Sequence, residues 1–415
     1  MAIIFKDRLD REFSIKANDG DRLFSILSKN HIPVDAIFVR KNGIIIDDYD
    51  SLYYEKDYYL IEMVRAYHLP DFLSYLNLWD YNINNYRPTN DSYYTKRLAL
   101  HSPDDGDFKY YLTRFNHESL VNYLDDTFVD GCNSENLFEN GENVLLALSG
   151  GRDSLSLGYF LSRNKDKLIN FNLRAVHVET SSNKLETSYA QEISDMFNIP
   201  LRIFTNEEVT KLYNLNVGIL EALDLIKNEY NKSYSIFSAH NIIKACVESY
   251  AREIKYEKLI YGLMKEDVVA SILKGTFIGQ PFRGPLNRSY GDFQIVYPLW
   301  PISKKELTLY LEEVNKDHNF QGSPSRFERG ALSRDIYYYF IDTLENICPG
   351  ICYQLIQATK VSTKTALKKV NYRRCKNCGT TYSEDYRPTE TSNIEREEGY
   401  CDLCNMFNKF GLIKK

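Results

Sequence analysis

Two constellations in this chain combine residue types and spacing suited to chemistry. The first is Val144–Ser154, V-L-L-A-L-S-G-G-R-D-S. A short apolar run, Val144 to Leu148, reads as a buried parallel strand. It passes into Ser149, Gly150, Gly151, Arg152, Asp153 and Ser154, and then into Leu155–Leu161, which has helical spacing. Strand, glycine-rich turn and helix together make an anion cradle. Adjacent glycines let the backbone approach a phosphate, and the first N–H groups of a helix have no partners of their own. Ser149 and Ser154 add hydroxyls, and Arg152 adds charge. The second constellation is Cys375-x-x-Cys378 with Cys401-x-x-Cys404. Four thiolates so spaced close a tetrahedral shell around Zn²⁺, and with no open position the site is structural. Gly379 permits the tight turn after Cys378.

The phosphate-binding stretch is neither G-x-x-x-x-G-K-S/T nor G-x-G-x-x-G. S-G-G-x-D-S resembles the pyrophosphate loop of the N-type ATP pyrophosphatases, the PP-loop superfamily. The resemblance implies an adenine nucleotide α-hydrolase-like α/β fold. It also implies cleavage of ATP between the α- and β-phosphates, leaving AMP on a substrate oxygen. On that footing Ala147, Ser149, Gly150, Gly151 and Ser154 hold the nucleotide, while Arg152 and Asp153 act on its triphosphate. Val178, ending the strand R-A-V-H-V, is a candidate adenine neighbour, and equally reads as an ordinary buried strand valine.

Further segments resemble the tRNA 2-thiouridine and 2-thiocytidine synthetases of that superfamily. In K-L-I-Y-G-L-M-K-E-D, Gly262 and Asp267 match a G-H-N-x-D-D pattern and Glu266 replaces its first aspartate. A carboxylate there can hold Mg²⁺ against the triphosphate, or serve only as a first-turn acid favoured by the helix dipole. The segment Y-P-L-W-P-I-S-K-K-E-L resembles P-L-x-x-x-x-K-x-E. Arg326, Arg329 and Arg334 stand in a segment resembling C-P-x-x-x-x-R-x-x-x-R, and read equally as phosphate contacts or solvated helix charges. The C-terminal cysteine pairs match the zinc ribbon of the same enzymes. One feature departs from them. Their C-x-x-C-G-x-x-K reads F-S-A-H-N-I-I-K here, with Phe237 and His240 in place of the cysteines, and their later C-P is Ser323-Pro324. Lys244 matches. An iron–sulfur cluster is therefore not expected. Cys246 reads as inert core.

These groups must be positioned by more than one domain, since the chain has 415 residues. Within a main domain of residues 140–365, residues 140–345 alternate strand and helix, with candidate strands Val144–Leu148, Phe171–Val178, Leu201–Phe204, Lys258–Tyr261 and Gln294–Tyr297. That alternation predicts a parallel sheet with helices on both faces and ligands at the carboxyl ends of strands. Residues 1–66 read as strand, strand, helix, then three strands with an Asn42-Gly43 hairpin turn. This order resembles the ubiquitin-like β-grasp fold of sulfur carriers, without their terminal Gly-Gly, so a docking role is expected. Residues 67–139 read as an irregular connecting region with one helix around Glu118–Phe128, and residues 366–415 as the zinc ribbon.

Apolar residues make up 43% and charged residues 26% of the chain, as in globular proteins, and no apolar run approaches a bilayer's thickness. A net charge of −6 argues against a broad nucleic-acid surface, although Lys364–Arg374 gathers basic residues. A cytoplasmic enzyme is expected, using ATP and Mg²⁺ with structural Zn²⁺. Expected partners are tRNA or a small-molecule substrate, and a sulfur-donor protein. No membrane partner is expected, and the oligomeric state stays open. Three readings follow: adenylation then sulfur transfer, adenylation then attack by an amine, or an ATP-binding module that mediates assembly.

Overall fold

The computed structural model describes residues 2–6, 12–16, 21, 23–30, 32, 34–46, 59–63, 93–101, 108–182, 184–229, 232–277, 285–316, 332–366, 370–385 and 396–414. Ser323, Arg326 and Arg329 lie outside them, as does the side chain of Arg334.

In the N-terminal unit β1 (Ala2–Lys6) pairs antiparallel with β2 (Glu12–Lys16). Helix α1 (Leu23–Lys29) follows, then β3 (Ile37–Lys41), β4 (Ile44–Ile46) and β5 (Tyr59–Met63). The sheet order is β2-β1-β5-β3-β4, with β1 and β5 parallel. Asn42 (φ 51°) and Gly43 (φ 85°) turn the β3–β4 hairpin, the conformation for which an Asn-Gly pair is suited. Leu23, Ile26 and Leu27 of α1 are buried at helical spacing.

The region expected to be irregular is ordered in two places. Strands β6 (Tyr94–His101) and β7 (Phe108–Phe115) pair antiparallel along their whole length. Helix α2 runs from His117 to Ser134, longer than expected, and starts with a reciprocal Asn116–Ser119 capping box. The charged and aromatic composition of β6 and β7 obscures strand alternation, and a partner strand only a few residues away supplies the hydrogen bonding.

The main sheet has the order β10-β9-β8-β11-β13-β12. Its elements are β8 (Glu142–Ala147), α3 (Arg152–Arg163), β9 (Phe171–Val178), α4 (Leu185–Phe197), β10 (Leu201–Phe204), α5 (Asn206–Leu212), α6 (Ile219–Glu229), α7 (Lys232–Ile254), β11 (Lys258–Ile260), α8 (Lys265–Phe277), β12 (Asn287–Tyr290) and β13 (Phe293–Val296). Five strands are parallel. The unexpected β12 is an antiparallel edge, paired with β13. The chain runs outward from β8 through β9 to β10, then returns to lay β11 on the other side of β8. Strand order thus reverses between β8 and β11, where open α/β sheets bind ligands.

Helices α9 (Lys304–Val314), α10 (Leu332–Ile347) and α11 (Ile351–Ala366) complete this layer. Phe128 of α2, Phe160 of α3 and Tyr310 of α9 stack in series, with centroids 4.9 and 4.0 Å apart. Buried Asp125 accepts hydrogen bonds from Tyr310, Arg163 and Asn164 beside that stack. Helix α9 also carries the N-terminal unit: Arg40 pairs with Glu312 at 2.7 Å, and Lys305 donates to the Val34 carbonyl at 3.0 Å.

The C-terminal unit holds β14 (Tyr372–Arg374), β15 (Thr381–Ser383) and α12 (Asp402–Lys409). It is bound to α7 through Glu248, which is 1% exposed and accepts from the Thr381 amide at 2.7 Å. Arg252 adds bonds to the Gly379 carbonyl and the Thr381 hydroxyl.

Candidate active site and metal centre

The loop after β8 folds on its own hydroxyls. Ser154 Oγ accepts from the Ser149 amide at 3.0 Å and lies 2.9 Å from Ser149 Oγ. Gly150 has φ +76°, and a Cβ there would stand 2.5 Å from the Glu186 carbonyl oxygen. Both conformation and space therefore demand glycine. Gly151 is the N-cap of α3 in extended backbone, with no side-chain cap, and its own amide donates to Ser149 Oγ at 3.3 Å. Arg152 opens the helix and is partly buried, like Ala147 at the end of β8. Buried His177 braces the loop from β9, its Nδ1 lying 2.9 Å from the Leu148 carbonyl oxygen. Val178 ends β9 and is buried.

Asp153 is ion-paired with Lys304, the first residue of α9. The Lys304 backbone amide donates to both carboxylate oxygens of buried Glu266, at 2.9 and 3.1 Å. Glu266, in the first turn of α8, thus fixes the start of the helix that carries Lys304 beside the loop. Lys304 is the lysine of the P-L-x-x-x-x-K-x-E segment, which by itself assigns it no role. Its meaning depends on a contact across 151 positions.

Asp267 is placed differently from Asp153. One of its oxygens accepts from the Met264 amide at 3.2 Å, and the other from the Tyr338 hydroxyl. It caps α8 and ties it to α10. Gly262 has open space around it: a Cβ would meet only Leu299, at 4.0 Å.

Behind the loop lies a buried charge cluster. Glu306 forms a capping box with Ser303, pairs with Lys96 of β6 at 2.7 Å and accepts from Tyr94 at 3.4 Å. Burial alone would push its carboxyl up, but Lys96 and Lys265 overcome that and hold it at about 2. Lys265 pairs with Glu345 at 3.2 Å.

At the C-terminal centre, the sulfurs of Cys375, Cys378, Cys401 and Cys404 all lie within 4.8 Å of one another and all four residues are buried. Tetrahedral Zn–S bonds of ~2.3 Å put sulfurs about 3.8 Å apart, and Cys378 and Cys401 are 3.7 Å apart. The Cys401 amide donates to Cys375 Sγ, and Asn377 to Cys404 Sγ. The cluster fits a single metal ion held by four thiolates. Gly379 (φ +72°) makes the turn, its amide donating to the Cys375 carbonyl.

Phe237 is buried on α7 and His240 is exposed, where the resembled motif has cysteines. Lys244 of that motif donates to Thr380 and Thr381 of the C-terminal unit and pairs with Glu248. Burial pushes the thiols of Cys132, Cys246 and Cys352 up, so they stay protonated and weakly nucleophilic.

Known proteins place this geometry in a family. Residues 126–335 match the PP-loop domain family. A tRNA-cytidine(32) 2-sulfurtransferase of Paraburkholderia phytofirmans is 24% identical over 222 residues, 51% of this chain and 62% of that protein. A tRNA(Ile)-lysidine synthase of Chlorobaculum tepidum is 24% identical over 49% of this chain and 58% of its own. The chain thus spans roughly six-tenths of the length of each of these two relatives. A probable sulfurtransferase of Methanocaldococcus jannaschii is 24% identical over 59% of this chain and 72% of its own.

Among solved structures, the U34-tRNA thiolase NcsA of Methanococcus maripaludis with its [4Fe-4S] cluster superposes with TM-score 0.52. It is 18% identical, covering 76% of this chain and 94% of that one, and supports the fold. The cluster in that thiolase conflicts with the expectation that none is held here, and that expectation is not carried forward. No described helix is long and apolar enough to cross a membrane. The loop at the β8–β11 reversal and the match over half its length make this chain a member of the PP-loop family.

Proposed function

We propose that this protein adenylates a carbonyl oxygen of a tRNA base with ATP and then replaces that oxygen by sulfur. The observation that carries the reading is the Ser149–Ser154 loop at the strand reversal, with Asp153 facing Lys304. The names of the tRNA-cytidine(32) 2-sulfurtransferases supply the substrate class.

ATP lies with its β- and γ-phosphates on the amides of Gly150, Gly151 and Arg152 and the hydroxyls of Ser149 and Ser154. Lys304 leaves Asp153 for a phosphate oxygen; Asp153 would then be free to hold Mg²⁺, which would supply charge neutralisation at the triphosphate. Asp267 is held as a cap and acts through the position of α8. The base carbonyl oxygen attacks the α-phosphorus, the bond to the β-bridging oxygen breaks, and pyrophosphate leaves. Hydrosulfide adds to the activated carbon, its proton passes to solvent, the carbon–oxygen bond breaks, and AMP leaves with the oxygen. Since the buried thiols are held protonated, sulfur comes from a separate donor. Positioning and charge neutralisation supply most of the acceleration.

We read residues 366–415 as a structural zinc ribbon, supported by four buried sulfurs of tetrahedral spacing, and residues 1–66 as a β-grasp-like docking unit, supported by the order β2-β1-β5-β3-β4. Residues 140–365 form the PP-loop domain and 67–139 its connecting region. The protein is proposed to work in the cytoplasm. Phe237 and His240 in place of cysteines, with the lysidine synthase match, favour a second reading in which an amine displaces AMP.

Mass-spectrometric profiling of tRNA nucleosides from host cells with and without this gene tests the proposal. Loss of a thionucleoside supports sulfur transfer. Loss of an amine-bearing nucleoside selects the second reading, and an unchanged profile refutes both.

A further inference from the structure

The antiparallel edge strand β12 carries a cation that the chemistry above does not use. Arg288 lies opposite Ile295 of β13, near the carboxyl ends of the parallel strands, on the same side as the phosphate loop. Its guanidinium sits over the Tyr290 ring, 5.5 Å from the centroid, and Tyr290 in turn lies 4.6 Å from the Tyr372 ring. Tyr261 and Tyr297 directly follow β11 and β13, so this group faces the ligand end of the sheet.

No carboxylate pairs with Arg288 among the described residues, and its buried Nε has no hydrogen-bond partner there. By contrast, Arg163, Arg202, Arg374 and Arg396 each pair with a carboxylate. Leaving a buried charged donor unsatisfied is destabilising, and a bound anion would relieve it. The side chain stays cationic, as a guanidinium does throughout the physiological pH range.

We propose that Arg288 anchors a backbone phosphate of the RNA segment whose base is presented to the adenylation site. This rests on the RNA-acceptor reading above and deepens it. Three strand steps separate β8 from β12, about 14 Å at ~4.8 Å per step, a distance that a few nucleotides of extended RNA span. The planar fork binds phosphate through two parallel N–H bonds, which lysine does not reproduce. Tyr261, partly exposed beside it, offers a hydroxyl and a ring face to the adjoining nucleotide.

The test uses the full-length protein and end-labelled total host tRNA in filter binding at 50 and 200 mM KCl. Binding of α,β-methylene-ATP is followed by calorimetry, and thermal unfolding is recorded in parallel. Arg288→Ala is expected to weaken tRNA binding about tenfold and to lower the slope of log K against log salt by about one. Its nucleotide affinity should stay that of wild type, and its melting temperature should not fall. Arg288→Lys is expected to restore the salt slope and only part of the affinity. If Arg288→Ala binds tRNA as wild type does, or weakens only together with a fall in melting temperature, the assignment is wrong while the acceptor reading stands. If wild type binds the nucleotide and no tRNA at either salt, the acceptor reading fails and the assignment falls with it.

Discussion

Replacing Glu306 by glutamine removes one negative charge from the buried cluster behind the phosphate loop and changes almost nothing in shape. The side-chain oxygen can still accept from the Ser303 amide, now 2.9 Å away. What is lost is the counter-charge to Lys96, at 2.7 Å, and to Lys265. Holding the Glu306 carboxyl at about 2 in place of 4.5, at 1.36 kcal/mol per pH unit, contributes about 3 kcal/mol at pH 7. That agrees with the ~3–5 kcal/mol lost when one partner of a buried pair is removed. The folded carboxyl is the stronger acid, so this contribution is complete above pH 4.5 and fades as pH falls toward 2. At pH 3 it is about 1.4 kcal/mol by the same linkage. The assay is denaturant unfolding of wild type and Glu306→Gln at pH 7, 5 and 3, following the transition of the main domain. A stability gap near 3 kcal/mol that narrows to about half at pH 3 is expected. A gap under about 1 kcal/mol at pH 7, or one that does not change with pH, would refute the reasoning. Because Glu306 caps the helix that begins at Lys304, ATP affinity should fall in the same variant.

Three shorter predictions follow. Gly150→Ala forces a Cβ to 2.5 Å from the Glu186 carbonyl at φ +76°; calorimetry should find nucleotide binding lost while circular dichroism shows a folded chain. Lys304→Met removes the cation beside Asp153 and should weaken ATP binding by about tenfold or more, the scale of one charge-assisted bond, with Glu266 still bonded to the backbone. Elemental analysis should find one zinc per chain, and Cys375→Ser or a strong chelator should release it and lower the melting temperature; iron in its place would overturn the zinc assignment.

Much of the main sheet can be read from local pattern. Phe171–Val178 and Leu201–Phe204 are strands within the limits periodicity implies, because each is short, apolar and bounded by turn residues. The β6–β7 hairpin and the edge strand β12 escape such a reading: they carry Lys, Arg, Asn and Ser in a sheet environment that only their partner strands create. The phosphate loop shows itself because its residues are contiguous. Lys304 and Glu266 do not, since what matters is which helix start lies beside which loop. His177 looks like one more strand residue until its ring is seen bonded to the loop's entry.

The central claim is that ATP is cut between its α- and β-phosphates at the Ser149–Ser154 loop. Incubating the purified protein with [α-³²P]ATP, Mg²⁺, sulfide and total host tRNA, and separating the labelled products, tests it most directly. AMP with an equal amount of pyrophosphate, both abolished in Asp153→Ala, is the predicted result. Labelled ADP as the product, or turnover that persists in Asp153→Ala, would contradict the account.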